Sequence, residues 1–335
     1  MKIVIIYNQD LDLVPNRLGT QNKEIYPEKT IKTIKEALIS LGHKVYIADG
    51  NQNIIAELQS IIADDNIIPF AFNISYGIQG ESRYTHIPAL LEMLGIPYTG
   101  SSPTGHTLAL NKAVTKVIWK DKNIPTPDFM VVKKDDNITS LKYSNKKYPV
   151  IVKPIMESVS QGLSIANNKT ELKNTLYKTI DKFKQDILVE QFIPGREFTV
   201  SILGNNSSIE ILPITEIDFK GNPNAIYSIE DKLIYSRQKR CPANISQELE
   251  HRVKEISKKA YQVIGIKDYA RIDIRMDKEG NLFLLEINAM ASLKEESSLP
   301  IAAKAAGYTY KELISKILNV AIDRYKLKQV IHSDY

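Results

Sequence analysis

The stretch Tyr269-Ala270-Arg271-Ile272-Asp273-Ile274-Arg275-Met276 alternates apolar and charged side chains. Only an extended strand, with its period of two, turns such a pattern into two coherent faces, so Arg271, Asp273 and Arg275 share one of them. The same rule sets Glu286 and Asn288 together in Phe283-Leu284-Leu285-Glu286-Ile287-Asn288. With Lys278-Glu279-Gly280-Asn281 as a four-residue loop, the two strands form a hairpin that pairs Asp273 with Glu286 and Arg271 with Asn288. Carboxylates about 5 Å apart repel unless a cation or proton lies between them. Asp273, Glu286 and Asn288 offer hard oxygens only, which favours Mg2+, or Mn2+, over zinc. A solvated strand face, with Arg271 and Arg275 neutralising the acids, is the alternative reading.

At 335 residues the chain exceeds what one hydrophobic core serves, which predicts two or three packed units. Near the N-terminus, β-branched runs at Lys2–Tyr7, Lys44–Ala48 and Phe70–Asn73 alternate with helical patterns over Glu28–Leu41 and Ile87–Leu94. That alternation predicts a parallel sheet covered by helices, closed by the turn-rich Thr99–Pro103. A helix over Leu108–Lys120 and an extended connector, Ile124-Pro125-Thr126-Pro127, follow. The middle section carries strands Phe129–Lys133, Pro149–Lys153 and Ile187–Phe192, a helix near Thr170–Phe183 and a Lys-rich loop. Beyond Pro194 come strands Glu197–Leu203 and Ile209–Ile214, a polar stretch Asp218–Asn244, a helix Gln247–Ile264, the hairpin and a closing helix Thr309–Tyr325. A structureless loop of about 27 residues in a compact unit reads as a lid over a site.

Composition excludes several classes. With 43% hydrophobic and 25% charged residues the chain is neither disordered nor collagenous. Its single cysteine, Cys241, excludes an internal disulfide and every multi-cysteine metal site, which fits a reducing cytoplasm. The N-terminal apolar run turns polar at Asn8-Gln9-Asp10, too soon for a signal peptide, and nowhere do about eighteen apolar residues run together. A soluble cytoplasmic protein without a membrane segment is expected. The net charge of +5 is spread along the chain with no basic-and-aromatic cluster, so no nucleic-acid partner is expected.

Two further segments suit phosphate and nucleotide. Val150-Ile151-Val152-Lys153-Pro154 is an apolar strand ending in a lysine, and Glu157-Ser158-Val159-Ser160-Gln161-Gly162 is a small polar loop that can offer backbone N–H groups to phosphate oxygens. It is not a P-loop. Leu188–Glu197 is an apolar strand with flanking acids, suited to seat an adenine and hold ribose hydroxyls, or simply a hairpin with charges on its rim.

Taken together with Gly77-Ile78-Gln79-Gly80-Glu81, Gly95-Ile96-Pro97-Tyr98-Thr99-Gly100-Ser101, Asn111-Lys112, Glu230-Asp231-Lys232, Cys241-Pro242-Ala243 and Ala302–Gly307, these segments resemble the D-alanine–D-alanine ligase family of ATP-grasp enzymes, in family order over nearly the whole chain. The resemblance implies an α/β fold, α+β in its C-terminal half: an N-terminal preATP-grasp, Rossmann-like domain over 1–102, a central ATP-grasp subdomain over 103–191 and a C-terminal one over 192–335 with a mobile loop near 218–244. It implies that Lys112 and Lys153 contact phosphates beside Glu157 and Ser160, with Lys232 as a third, catalytic lysine on the loop. Glu190 and Glu197 would face adenine and ribose, Gln191, Phe192 and Ile193 the adenine edge, and Ile151 and Leu285 would be apolar walls. Asp273, Glu286 and Asn288 match ligands of two Mg2+ ions. Arg271 matches the arginine that steadies the oxyanion formed when an amine attacks an acyl phosphate. Small-molecule acid and amine substrates, amino acids or a dipeptide, and a homodimer are implied as well.

The departures gather at the amino-acid pocket. Ser158 and Val159 stand where the family has glycine and serine, Leu233 replaces the loop tyrosine, and Asn288-Ala289-Met290-Ala291-Ser292 replaces Asn-Thr-Ser-Pro-Gly. The glutamate that holds the first amino group falls near Asn22, with Glu24 the nearest acid. Ser297 matches the serine that receives the second substrate's carboxylate. The expectation is an amide-forming ligase with an altered first-substrate pocket; an ordinary D-alanine–D-alanine ligase and a non-catalytic nucleotide binder are the alternatives.

Overall fold

The computed structural model describes residues 1–9, 11, 15, 17, 22, 24–140, 148–227 and 238–326. Three sheets organise them. The first is parallel, with β1 (Lys2–Tyr7) between β2 (Lys44–Asp49) and β3 (Phe70–Asn73). The apolar run of β1 is buried on both faces, as a central parallel strand requires. Ile3 and Ile5 pack with α1 (Glu28–Ser40), while Val4 and Ile6 pack with α2 (Ile54–Ala63) and α3 (His86–Met93).

The predicted helix Leu108–Lys120 is two helices, α4 (Pro103–Leu110) and α5 (Lys112–Asp121). Asn111 is the reason: its backbone is extended and its side chain accepts from the Val114 N–H at 3.0 Å, capping a fresh helix. Lys112 thereby sits in the first turn of α5, with its N–H donating to the Ile155 carbonyl at 3.3 Å.

The second sheet is antiparallel, in the order β4 (Phe129–Val132), β7 (Ile187–Gln191), β5 (Val150–Pro154), β6 (Ser164–Ala166). Its Val150, Val152, Ile187 and Val189 pack against Leu172 and Leu176 of α6 (Lys169–Phe183). The third sheet is antiparallel around β8 (Arg196–Leu203) and β12 (Tyr269–Met276), with β13 (Leu282–Asn288) beyond β12 and β10 (Thr215–Ile217) and β11 (Lys239–Arg240) beyond β8. The predicted strand Ile209–Ile214 shortens to β9 (Glu210–Ile211), because Pro213 has no N–H to continue the ladder. Lys239 and Arg240 belong to a strand rather than to the polar loop. One face of this sheet, with Phe198, Val200, Ile272 and Ile274, packs on α7 (Gln247–Ile264). After α8 (Ser298–Ala305), α9 (Tyr310–Arg324) returns to the first sheet beside α1, burying Ile314, Ile317 and Leu318.

Candidate active site

The other face of the third sheet is polar. Ladder register sets Glu197 beside Arg275, Thr199 beside Asp273 and Ser201 beside Arg271 on β8 and β12. On the far side of β12, Asp273 stands across from Glu286 and Arg271 across from Asn288, as alternation predicts. The route to that register differs. The hairpin turn holds five residues, not four, with Asp277 N donating to Asn281 O at 3.1 Å, and a bulge opposite Asp273–Ile274 absorbs the extra residue. Leu284 and Ile287 stay in the core while Leu285 and Glu286, adjacent in sequence, both line the cleft.

This cleft lies between the second and third sheets. It brings together every residue that the family resemblance assigns to ATP and lies among the described residues. Ile151, Lys153 and Glu190 come from β5 and β7; Gln191, Phe192, Ile193 and Glu197 continue that edge; Lys112, Glu157, Ser160 and Leu285 complete it. Alternation explains the first group, since Val150 and Val152 point into the core and Ile151 and Lys153 away from it. In the loop, Val159 and Ser160 adopt left-handed backbone, at φ 47° and 60°, costly for a β-branched valine. Gly162 is required there: its φ is 75°, and a Cβ would lie 2.6 Å from the Phe183 ring.

Buried charges gather in and beside the cleft. Lys153 Nζ lies 2.6 Å from Glu190 Oε1, and Lys116 Nζ lies 3.0 Å from Glu190 Oε2. Burial alone would raise the Glu190 pKa, but the two lysines bring it below its ordinary value. Burial is opposed by Glu190 at Lys153, which stays above its ordinary value, whereas at Lys116 burial prevails and the pKa falls to about 8. One carboxylate neutralises only one of two ammonium groups. Lys112 Nζ donates to the Glu157 carbonyl and lies 3.8 Å from Glu286; burial lowers its pKa. Arg271 grips Asp273 with two bonds of 2.8 and 2.7 Å, and despite burial Asp273 holds it above its ordinary pKa. Asn288 Nδ2 donates to Asp273 at 3.4 Å. Arg275 donates to Glu197 at 3.0 Å and to the carbonyls of Ile193, Pro223 and Ala225, between the Phe192 and Phe219 rings.

Among the described residues, no three His, Cys, Asp or Glu side chains lie close enough to hold a metal ion by themselves. Asp273 and Glu286 form a pair, and Asn288 supplies the third oxygen on that face. Among the described residues, the buried Thr199 hydroxyl, across from Asp273, has no hydrogen-bond partner. A hard-oxygen set with an unsatisfied neighbour fits a hydrated Mg2+.

A second cavity holds Arg271, Asn288, Glu24 and Ser297, and Tyr227 lines both cavities. Glu24 Oε1 accepts from Tyr84 Oη at 2.7 Å and from Ser158 Oγ, and lies 3.5 Å from the buried Arg83. Arg83 also donates to the Met156 carbonyl at 3.1 Å and to Ser158 Oγ at 3.2 Å. Ser297 Oγ donates to Ser292 Oγ at 2.9 Å at the start of α8. Lys232 and Leu233 lie outside the described residues.

Sequence reasoning gave Lys116, Arg275, Arg83 and Tyr84 no place in the site. Lys116 was signalled by its four-residue spacing from Lys112, which shares a helix face, and Arg275 by its place in the charged alternation.

A family model described as the D-ala D-ala ligase C-terminus matches residues 118–319, more than half of the chain. The D-alanine–D-alanine ligase of Aquifex aeolicus is 35% identical over 87% of this chain and 94% of its own. The chain belongs to the D-alanine–D-alanine ligase family. Members of this family are ATP-dependent, ADP-forming ligases, and this chain is a D-alanine–D-alanine ligase-like ATP-dependent ligase. An uncharacterized Sinorhizobium fredii protein, y4sG, is 36% identical over 97% of this chain and 98% of its own. The fold agrees with the family's: the crystal structure of D-alanine–D-alanine ligase from Bacillus anthracis complexed with ATP superposes with a TM-score of 0.74 at 24% identity, covering 97% of this chain and 99% of that one. Among the described residues, no helix is long and apolar enough to cross a membrane.

Proposed function

We propose that this ligase joins a carboxylic acid to an amine through an acyl phosphate, with a first-substrate pocket rebuilt for an acid other than D-alanine. The observation that carries the reading is the Glu24 carboxylate, held by Tyr84 and Ser158. The family's serine position is Val159 here, yet a hydroxyl one residue earlier takes up the glutamate, and Tyr84 supplies the phenol. A set rebuilt from different positions encloses a different shape.

In this reading Lys112 and Lys153 offset the phosphate charge, Glu157 and Ser160 belong to the loop beneath it, and Glu190 and Glu197 face adenine and ribose. Ile151 and Leu285 wall the base, with Gln191, Phe192 and Ile193 along its edge. Asp273, Glu286 and Asn288 would hold Mg2+, which supplies charge neutralisation at the transferred phosphoryl group. Arg271, kept cationic by Asp273, steadies the oxyanion when the amine nitrogen bonds to the acyl carbon and phosphate leaves with the electron pair of the broken C–O bond. Glu24 holds the first substrate's amino group, Ser297 the second substrate's carboxylate, and Lys232 is the third phosphate lysine. We take the division at residues 102 and 191 as the domain boundaries, a homodimer as the assembly and the cytoplasm as the location, where the free Cys241 stays reduced.

Phosphate release from ATP and Mg2+ with a panel of D- and L-amino acids and dipeptides tests this. Fast turnover with D-alanine alone overturns the altered pocket, and silence with every acid overturns the ligase reading.

A further inference from the structure

Two carboxylates share one buried cation at the wall between the two cavities. Glu24 lines the second cavity and Glu157 the cleft, and Arg83 Nη2 lies 3.5 Å from the first carboxylate and 3.4 Å from the other. The same nitrogen donates to Ser158 Oγ at 3.2 Å, and Nη1 donates to the Met156 carbonyl at 3.1 Å. One side chain therefore ties three successive residues of the loop after β5 to Glu24. Beyond it, Glu157 Oε1 accepts from Gln185 Nε2 at 2.9 Å, and the Glu157 carbonyl accepts from Lys112 Nζ. An unbroken chain of polar contacts thus runs from Glu24 through Arg83 and Glu157 to Lys112.

This is not the geometry of an arginine placed to stabilise one ion pair. Such a guanidinium makes two parallel bonds to a single carboxylate, at about 2.7–2.9 Å, as Arg271 does with Asp273. Arg83 instead spreads one nitrogen over three acceptors, and its buried Nε has no hydrogen-bond partner among the described residues. Its backbone has little slack. Arg83 opens a single 3-10 turn, Arg83–Thr85, and its carbonyl oxygen would lie 2.0 Å from a Cβ at Gly77, where φ is 72°. Only glycine fits beneath it.

We infer that Arg83 is a positioning residue that couples the two substrate sites, setting the acid held at Glu24 against the phosphates held by the loop and Lys112. The inference rests on the ligase reading, in which Glu24 receives the acid's amino group. In the first step a carboxylate oxygen of the acid bonds to the γ-phosphorus while the bond to the bridging oxygen breaks, and ADP leaves with its electron pair. The reacting atoms must meet at about 3–3.5 Å, and a misplacement of about 1 Å costs about a hundredfold in rate. Glu24 and the loop after β5 belong to distant segments, and the shared guanidinium fixes their separation. Coupling of this kind is reciprocal, so each ligand tightens the other's binding. Lysine, a single point charge without the planar fork, cannot make all these contacts at once.

The test uses the full-length protein with Mg2+. Hydroxylamine first stands in for the amine, with ATP and the panel of amino acids, and hydroxamate formation identifies an acid. Calorimetry then measures the Kd of adenylyl imidodiphosphate, a non-hydrolysable ATP analogue, alone and with that acid at saturation. In the wild type the acid should tighten the analogue by about fivefold or more. In Arg83→Lys and Arg83→Met that ratio should fall below about twofold and the hydroxamate kcat by at least about tenfold, while the Kd of the analogue alone shifts by less than about threefold. Because the ratio is internal to each variant, lost folding does not imitate the effect. Ser158→Ala, which removes only the hydroxyl between Arg83 and Glu24, should lower the ratio part of the way and carries the test if the Arg83 variants do not fold. No tightening in the wild type, a ratio unmoved in the variants, or analogue binding lost along with the ratio overturns the inference and leaves the ligase reading standing. No hydroxamate with any acid removes the ligase reading and this inference with it.

Discussion

Arg275 and Glu197 face each other across the β8–β12 ladder, joined at 3.0 Å with both side chains buried. The same guanidinium reaches the carbonyls of Pro223 and Ala225, so it ties the segment leading toward residue 228 to the edge of the cleft. Arg275→Met removes the buried guanidinium paired with Glu197, at a cost of about 3–5 kcal/mol. Arg275→Met combined with Glu197→Gln should recover part of that loss. Urea unfolding of the two single variants and the double variant measures it, and strictly additive losses would dissolve the pairing.

Asp273 tests the charge pair on β12 and β13. Asp273→Asn keeps the side-chain shape but removes the charge that Arg271 grips. ADP formation should fall by about a thousandfold or more while circular dichroism stays native. Turnover near the wild-type rate would remove Asp273 from the phosphoryl chemistry.

Tyr84→Phe removes one hydrogen bond to Glu24 and leaves the ring contact with Tyr76 in place. One such bond is worth about 1 kcal/mol, so KM for the acid substrate should rise about fivefold. KM for ATP should stay the same. A change confined to ATP would mean that the two cavities are wrongly assigned.

Lys116 gives stability a pH signature. Its pKa in the folded protein is about 8, below the ordinary 10.5 of an unfolded chain, so between those values the unfolded chain binds more protons. Its contribution to stability therefore rises with pH across that window, by on the order of 3 kcal/mol, and is constant below it. Urea midpoints between pH 7 and 10 should climb less in Lys116→Met than in the wild type. Parallel curves for the two proteins would refute the assignment.

Whatever obeys a short period was legible in the sequence. The charged face of β12 follows from alternation, and so does the placement of Ile151 and Lys153 toward the cleft, opposite Val150 and Val152. Contacts between distant segments were not legible. Glu24, Tyr84 and Ser158 meet only because the first sheet docks on the loop after β5, and no local pattern announces that meeting. Leu285 illustrates a third kind: strict alternation sends it into the core, and only the bulge turns it to the cleft. The break at Asn111 escaped because apolar spacing runs on across it, while the capping side chain that makes it is one polar residue.

The extra residue at Leu285 makes one wall of the cleft separable from its acids. Deleting it would restore a regular ladder in which Leu284 is followed directly by the glutamate, still opposite Asp273. The carboxylate pair would survive and only the apolar surface would go. A catalyst assembled this way can retune what it grips at one end, by trading a single side chain, without touching the charges that do its work at the other.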